Sequence, residues 1–405
     1  MLDPAGEAAP SLIRAVYDSR QLTVKDSCYG IYKFADWLPI ERVLEGSSAP
    51  VTYKSVGLAG ALGLENLYIT FTGWFPEKGA RNTTCSFKET EAYTVCGRLN
   101  GGQQKTLVVA SAGNTARAFA KVCSDNRIPL LLCVPEDNLD ALWFDAPLNS
   151  CVTLLCTKAG SDYFDAINLS NIVCQLDGYL PEGGAKNVAR RDGMGTTMLS
   201  AATFIGAIPE YYFQAIGSGT GAIAAWEANL RLLEDGRFGT RKAKLMVSQN
   251  APFTPMYDAW KASSRQLLAM DDDDARQRVE AIVAKVLSNR KPPYSITGGL
   301  FDALTDTQGD VLVATNDEAA AAAALFEKVE GIDIHPAPAV AVASLINEVK
   351  AGRIAQDAVV MLNITGGGEQ RYKSEHKLYY LKPAAIFGFN PTLDEVRGQL
   401  EAITV

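Results

Sequence analysis

The stretch Lys105-Thr106-Leu107-Val108-Val109-Ala110-Ser111-Ala112-Gly113-Asn114-Thr115 passes from an apolar run, through a turn of small residues, into a helical segment that continues to Ser124. A short continuous apolar run bounded by such a turn reads as a strand buried on both faces. The same unit recurs. Residues 129–134 and 151–156 are further buried strands, and the helical stretch 163–171 follows the second of them. Later apolar runs fall at 212–216, 244–248, 310–314 and 358–364, most of them beside a helical segment. Strands of this kind alternating with helices call for parallel sheet covered on both faces, an α/β fold. They form two sets, roughly residues 98–208 and 209–368. The segment before Arg98 is longer and more irregular, and Pro76, Glu77, Lys78 and Gly79 mark a loop in it.

A chain of 405 residues is too long for one ordinary core and suggests two domains. Its 47% hydrophobic and 21% charged residues suit a soluble globular protein. The longest apolar stretches, 319–326 and 336–346, are too short to span a bilayer. Residues 1–10 are acidic and lack the basic-then-apolar pattern of an export signal. The net charge is -8, with lysines and arginines scattered, so no basic footprint for nucleic acid exists. The acidic run Asp271, Asp272, Asp273 and Asp274 reads as a solvated helix start rather than a metal site. Eight cysteines include no CxxC pair, and the two histidines, His335 and His376, stand far apart, which argues against structural zinc. Cysteines set within apolar runs, such as Cys133 and Cys156, read as buried reduced thiols, and a cytoplasmic, reducing location follows.

Three small-residue turns carry the chemistry. The first is Ser111-Ala112-Gly113-Asn114-Thr115. The second is Gly217-Ser218-Gly219-Thr220-Gly221, with a strand before it and a helix after. The third is Thr365-Gly366-Gly367-Gly368, after the strand 359–364. Free N–H groups and the helix dipole make such a strand–loop–helix junction an anion site. Residues 217–221 alone read equally as a structural turn. They are no P-loop, since no Lys-Ser/Thr follows, and the third glycine is misplaced for a dinucleotide motif. A fourth stretch, Thr84-Cys85-Ser86-Phe87-Lys88, opens a helical segment at 89–99. On spacing alone Lys88 is a solvated helix cap. The ordered set of lysine, Asn-bearing turn, glycine loop and late Thr-Gly-Gly gives it another meaning.

That set resembles the threonine synthase family of fold-type II pyridoxal-phosphate (PLP) enzymes. Gly30-Ile31-Tyr32-Lys33-Phe34-Ala35-Asp36-Trp37-Leu38-Pro39 is similar to the family's Gly-x-Trp-Arg-Tyr-x-x-Leu-Leu-Pro start. Thr84 to Lys88 resembles its Thr-Gly-Ser-Phe-Lys motif, with Cys85 in place of glycine. Ser111 to Thr115 matches its Ser-x-Gly-Asn-Thr loop. Glu330-Gly331-Ile332 with Pro336-Ala337 resembles its Glu-Gly-Ile-x-x-Glu-Pro segment, with His335 where the acid stands. The likeness runs from about residue 30 to 368. It implies two open α/β domains with PLP in the cleft: a larger cofactor-binding unit of 1–97 with 209–405, and a smaller mobile unit of 98–208. It implies that Lys88 holds PLP as a Schiff base and moves the substrate's α-proton. Asn114 would bond the cofactor's 3′ oxygen. Gly217, Ser218, Gly219, Thr220 and Gly221 would hold its phosphate, and the neutral hydroxyl of Thr365 would face the pyridine nitrogen. Ser111, Ala112, Gly113, Asn114 and Thr115 would take the substrate's α-carboxylate. The family is often homo-oligomeric, and nothing in this sequence fixes the assembly.

The chain departs from the family at Glu89-Thr90, where Asp-Arg is usual, at Cys85, in the insertion 74–83 and in 182–191. These departures are most similar to the cysteate synthase branch, which implies O-phospho-L-serine and sulfite as substrates and L-cysteate and phosphate as products, in coenzyme M biosynthesis. Two anions entering an acidic protein need local cations. Lys186, Arg190 and Arg191 are the densest basic cluster near a loop, and arginine suits bidentate phosphate or sulfonate recognition. The plainer reading of the cluster is an exposed solvated loop. Threonine synthase acting on O-phosphohomoserine, a phosphoserine-dependent cysteine synthase, a catalytically silent anion-binding relative and a nucleotide-binding protein remain as alternatives.

Overall fold

The computed structural model describes residues 10–99, 105–111 and 113–404. Ala112 lies outside them. Two parallel-rich sheets organise the chain. The smaller has the strand order Ala385–Phe387, Val152–Thr157, Leu130–Pro135, Thr106–Ala110 and Tyr179–Pro181, with every pair parallel. The continuous apolar runs follow from its two covered faces. Leu107, Val109, Leu130, Leu132 and Leu154 pack with Phe119 and Val122 on one side. Val108, Leu131, Cys133 and Leu155 pack with Leu169 and Val173 on the other. Residues of alternate register therefore all need to be apolar.

The larger sheet runs Val51–Lys54, Asn66–Phe71, Val359–Ile364, Tyr211–Ala215, Lys244–Asn250 and Asp310–Ala314. Its first pair is antiparallel and the others are parallel. Ile69, Phe213, Val360 and Leu362 face helix Pro336–Lys350 through Val340 and Val342. Tyr212, Leu245, Val247 and Met361 face the opposite layer of Met198, Ile223 and Leu232. The irregular opening segment thus contributes two strands, Val51–Lys54 and Asn66–Phe71, that the sequence reading did not resolve. The acidic run does open a helix, Asp272–Ala281, with Asp271 as its N-cap accepting from the N–H groups of Asp273 and Asp274.

Two segments cross the expected division into 98–208 and 1–97 with 209–405. Strand Ala385–Phe387 joins the smaller sheet, and Val396 and Leu400 of helix Leu393–Thr404 pack with Leu169 and Val173. The C-terminal segment therefore completes the smaller layer. Conversely, helix Val188–Ile205 buries Met198, Leu199 and Ala202 against Tyr212 and Ile223 of the larger body. Only tertiary pairing of a three-residue strand, too short to show a period, sets these boundaries.

No helix among the described residues is long and apolar enough to cross a membrane. The eight cysteines are free thiols. The three small-residue turns at 111–115, 217–221 and 365–368 leave the C-terminal ends of parallel strands, which is where ligands bind in open α/β sheets.

Candidate active site

Helix Lys88–Arg98 is buried at every residue from Glu89 to Gly97, because it runs between helices Asn114–Asp125 and Val188–Ile205. Its polar side chains are bonded locally. Thr84 donates to Glu89 Oε2 from both its backbone N–H and its hydroxyl, Thr90 Oγ1 donates to the Phe87 carbonyl at 2.7 Å, and Thr94 Oγ1 to the Thr90 carbonyl at 2.6 Å. Burial pushes the Glu89 carboxyl up to about 7, against the pull of its Thr84 bonds.

The loop ahead of this helix gathers the other motifs. Phe87 N–H donates to the Thr365 carbonyl at 3.0 Å, and Gly367 N–H to the Cys85 carbonyl at 3.2 Å. Ser86 and Gly366 pair as an isolated antiparallel bridge. The late Thr-Gly-Gly is thus bonded directly onto the lysine motif. The glycine loop reaches it through Phe87: a Cβ at Gly221 would lie 3.2 Å from Phe87 Cε2 and 2.6 Å from Gln214 Nε2. The Asn-bearing turn reaches it through Arg117, which is 2% exposed and donates to the Thr84 carbonyl, to the Ala141 carbonyl at 2.7 Å and to Asn114 Oδ1 at 2.9 Å. The guanidinium lies 4.3 Å from the centre of the Trp143 ring. Its bond to Oδ1 turns the Nδ2 donor of Asn114 the other way.

Lys88 is the first residue of its helix, and its side chain is 19% exposed, so the amine is reachable. Its Nζ donates to Glu91 Oε2 at 3.4 Å. The other Glu91 oxygen lies 2.9 Å from Arg190 Nη2, and Arg190 Nη1 donates to Glu182 Oε2 at 2.6 Å. Burial lowers the proton affinity of the Lys88 amine; Glu91 opposes this and Arg190 adds to it. An amine held this way is closer to acting as a base at neutral pH than a solvated lysine.

The remaining residues divide clearly. Ser111 is buried and its hydroxyl accepts from Gly113 N–H at 3.1 Å, while Gly113 takes a φ of 153° at the helix start. Thr115 is buried in the first turn. Gly219 has a φ of 78° just before helix Thr220–Asp235, and the hydroxyls of Ser218 and Thr220 share a bond of 2.8 Å. Lys186 is exposed. Arg191 requires a correction, because it is no free cation: it is fully buried, pairs with Glu227 at 2.9 Å, and donates its remaining nitrogens to the carbonyls of Ala185 and Ile13. A charge buried that deeply needs all these partners to remain inside.

A second charged group borders the motif. Glu369 Oε2 lies 2.8 Å from His335 Nε2 and 3.4 Å from Arg117, and its Oε1 lies 2.7 Å from Lys373. Burial would raise its carboxyl, but the close contact with His335, the charge of Arg117 and the bond from Lys373 outweigh this and hold it well below the usual range. Cys85 sits fully buried against Trp143 and Tyr372, and burial pushes its thiol well up, so it is no thiolate nucleophile.

The model of a family described as pyridoxal-phosphate dependent enzymes matches residues 78–366, which spans the lysine motif, the Asn-bearing turn and the glycine loop and ends within the late Thr-Gly-Gly. The chain belongs to that family. Its cofactor is PLP, and the residues fit it: a reachable amine at Lys88, a glycine-bearing helix start at 217–221, and the threonine of 365 bonded into the same loop. A Cβ at Gly217 would lie 2.7 Å from the Val286 carbonyl, so this turn has room only for glycine. Among curated proteins, the chain is 49% identical over 374 residues to cysteate synthase of Methanosarcina acetivorans, covering 92% of this chain and 90% of that one. It is 50% identical over 380 residues to cysteate synthase of Methanocella paludicola, covering 93% and 88%. Among solved structures it resembles maize serine racemase, with a TM-score of 0.61, 13% identity and coverage of 80% and 91%. It likewise resembles a threonine deaminase isoform of Solanum lycopersicum, with a TM-score of 0.55, 17% identity and coverage of 91% and 99%. These structural likenesses concern the fold.

Sequence reasoning missed Glu91, Arg117 and Glu369, which the fold brings against these motifs. The first had a usable signal, since a residue three after Lys88 on a helix shares its face. Arg117 and Glu369 had none, because their partners are distant in the chain.

Proposed function

We propose that the chain catalyses β-replacement, converting O-phospho-L-serine and sulfite to L-cysteate and phosphate. The identity to cysteate synthases across most of both chains supports the reaction. The observation that carries the mechanism is the contact of the Lys88 amine with Glu91, and through it with Arg190, at the meeting point of the three loops. Lys88 holds the cofactor through its amine. Asn114 donates to the cofactor's 3′ oxygen through Nδ2. Gly217, Ser218, Gly219, Thr220 and Gly221 hold its phosphate, and Thr365 offers a neutral hydroxyl to the ring nitrogen. Ser111, Gly113, Asn114 and Thr115 receive the substrate's α-carboxylate at a helix start.

When bound, PLP supplies an electron sink for the charge left on the α-carbon. Lys88 takes the α-proton, which its lowered proton affinity favours, and later returns it. Arg190 receives the substrate phosphate and steadies it as it leaves; its planar fork suits that group. Sulfite then takes the place of phosphate on the β-carbon. Lys186, exposed beside this loop, adds positive charge at the rim. Free and largely buried cysteines support a cytoplasmic location.

The test follows the visible absorbance of the PLP-loaded protein as O-phospho-L-serine and then sulfite are added. The expected result is a band that shifts with phosphoserine and returns with sulfite while cysteate forms, and a Lys88→Ala variant without turnover. A response to O-phosphohomoserine alone would move the chain to threonine synthase chemistry. Sulfide replacing sulfite as the effective nucleophile would make it a cysteine synthase.

A further inference from the structure

Glu91 moves no proton and binds no substrate in the mechanism above, yet it is the nearest charged group to Lys88. Its side chain is fully buried, with one oxygen toward Lys88 Nζ at 3.4 Å and the other toward Arg190 at 2.9 Å. Arg190 is shared: it also pairs with Glu182 at 2.6 Å, and its side chain is 13% exposed. The groups facing Lys88 are therefore Glu91 on its own helix, Arg190 on helix Val188–Ile205 and Glu182 after strand Tyr179–Pro181. Tyr163, at the start of helix Tyr163–Val173, borders the same three charges.

A buried carboxylate between two cations divides its attraction between them. When a dianion binds Arg190, the guanidinium turns its donors to the stronger partner, and its hold on Glu91 weakens. The freed carboxylate then acts on the Lys88 nitrogen alone, and an opposite charge within a few ångströms favours the protonated form there. We propose that Glu91 is a positioning residue that links anion binding at Arg190 to the proton carried at Lys88. The inference rests on the reading of Arg190 as the substrate-phosphate site. Its consequence is an ordered sequence: the lysine nitrogen holds a proton more firmly once the phosphate is seated. Glu182 holds Arg190 in place but does not touch Lys88, so it anchors the cation without carrying the link.

The proton count on binding tests this. Sulfate is the probe, because it is a tetrahedral dianion with no titration of its own near neutrality. Calorimetry of sulfate binding to the PLP-loaded protein, in two buffers of different ionisation enthalpy at pH 7, 8 and 9, gives the protons taken up. The wild type should take up a fraction of a proton per sulfate. Glu91→Gln, which keeps the shape and removes the charge, should bind sulfate and lose that uptake, while Glu182→Gln should keep it. Retention of the cofactor's visible band shows that each variant is folded and loaded. Binding without uptake in the wild type, or undiminished uptake in Glu91→Gln, would overturn the link alone. Sulfate binding that is absent in the wild type, or unaffected by Arg190→Ala, would overturn the link together with the phosphate role of Arg190.

Discussion

Replacing Gly193 with alanine tests whether the crossing of two helices sets the geometry at Lys88. Gly193 lies on helix Val188–Ile205, one turn after Arg190, against the helix that begins with Lys88. A Cβ there would lie 2.0 Å from Thr94 Oγ1, 2.5 Å from the Thr90 carbonyl oxygen and 3.0 Å from the Glu91 Cα. The hydroxyl can rotate away, but the other two atoms are backbone. Ordinary contact begins at 3.4 Å, so the helices must separate by about 0.9 Å. Helix propensity alone would favour alanine by about 1 kcal/mol. Overpacking opposes it by about 1–3 kcal/mol, so the net effect is a destabilisation of up to about 2 kcal/mol. The same separation stretches the 2.9 Å contact of Arg190 with Glu91 beyond hydrogen-bond range. Displacement on this scale costs up to about a hundredfold in turnover. Steady-state kinetics with O-phospho-L-serine, run beside thermal unfolding, should show a raised KM and a lowered kcat together with a lower Tm. An unchanged KM with a raised Tm would mean that the crossing has room, and would refute the argument that backbone contact at Gly193 positions Arg190.

Glu89 makes stability depend on pH. Its folded-state value of about 7 lies above the ordinary 4.5, so the folded protein holds an extra proton between these values, and stability falls as pH rises through that window. The cost at pH 8 is on the order of 3 kcal/mol, and Glu89→Gln should remove it; denaturation at pH 5 and pH 8 should show a flatter dependence in the variant, and an unchanged slope would sink the assignment. Cys85→Gly relieves a left-handed residue, at φ 52°, worth about 1–2 kcal/mol. It also removes a fully buried thiol from the contact with Trp143 and Tyr372, a loss of similar size. Stability should change by less than about 1 kcal/mol and PLP should still bind, and a loss of more than about 3 kcal/mol would show that the thiol does more than fill space.

The parallel architecture was legible because strands covered on both faces leave an unbroken apolar signature, as at 130–135 and 359–364. The short C-terminal strand at 385–387 was not, because three residues carry no period and its pairing depends on Val152–Thr157. The cofactor loops were legible in a similar way, since small residues at strand ends are visible in one dimension. Adjacent Arg190 and Arg191 show where that stops. Successive residues on a helix point about 100° apart, so one guanidinium meets Glu91 and Glu182 near Lys88 while its neighbour meets Glu227 inside the larger body. Charge density along the sequence gave both the same weight. Orientation gives one a place beside the reactive amine and makes the other an internal strut.

The charge balance around Lys88 also answers how a chain of net charge -8 can take up anions. Remote surface charges are screened over about 8–10 Å at ordinary ionic strength, so the local set decides. In the absence of ligand that set is Lys88, Arg190, Glu91 and Glu182, two cations and two carboxylates that alternate along one line of contacts. Alternation keeps each buried charge beside an opposite one, which offsets its desolvation. Were Lys88 to hold PLP, its amine would no longer count as a free cation in the set, and the two carboxylates would weigh more against a phosphate dianion. On the proposal above, proton uptake as the phosphate arrives would restore the balance, with Glu91 beside the lysine to favour it. A fully buried acid three residues after the lysine thus keeps Lys88 and Arg190 each beside an opposite charge without solvent screening.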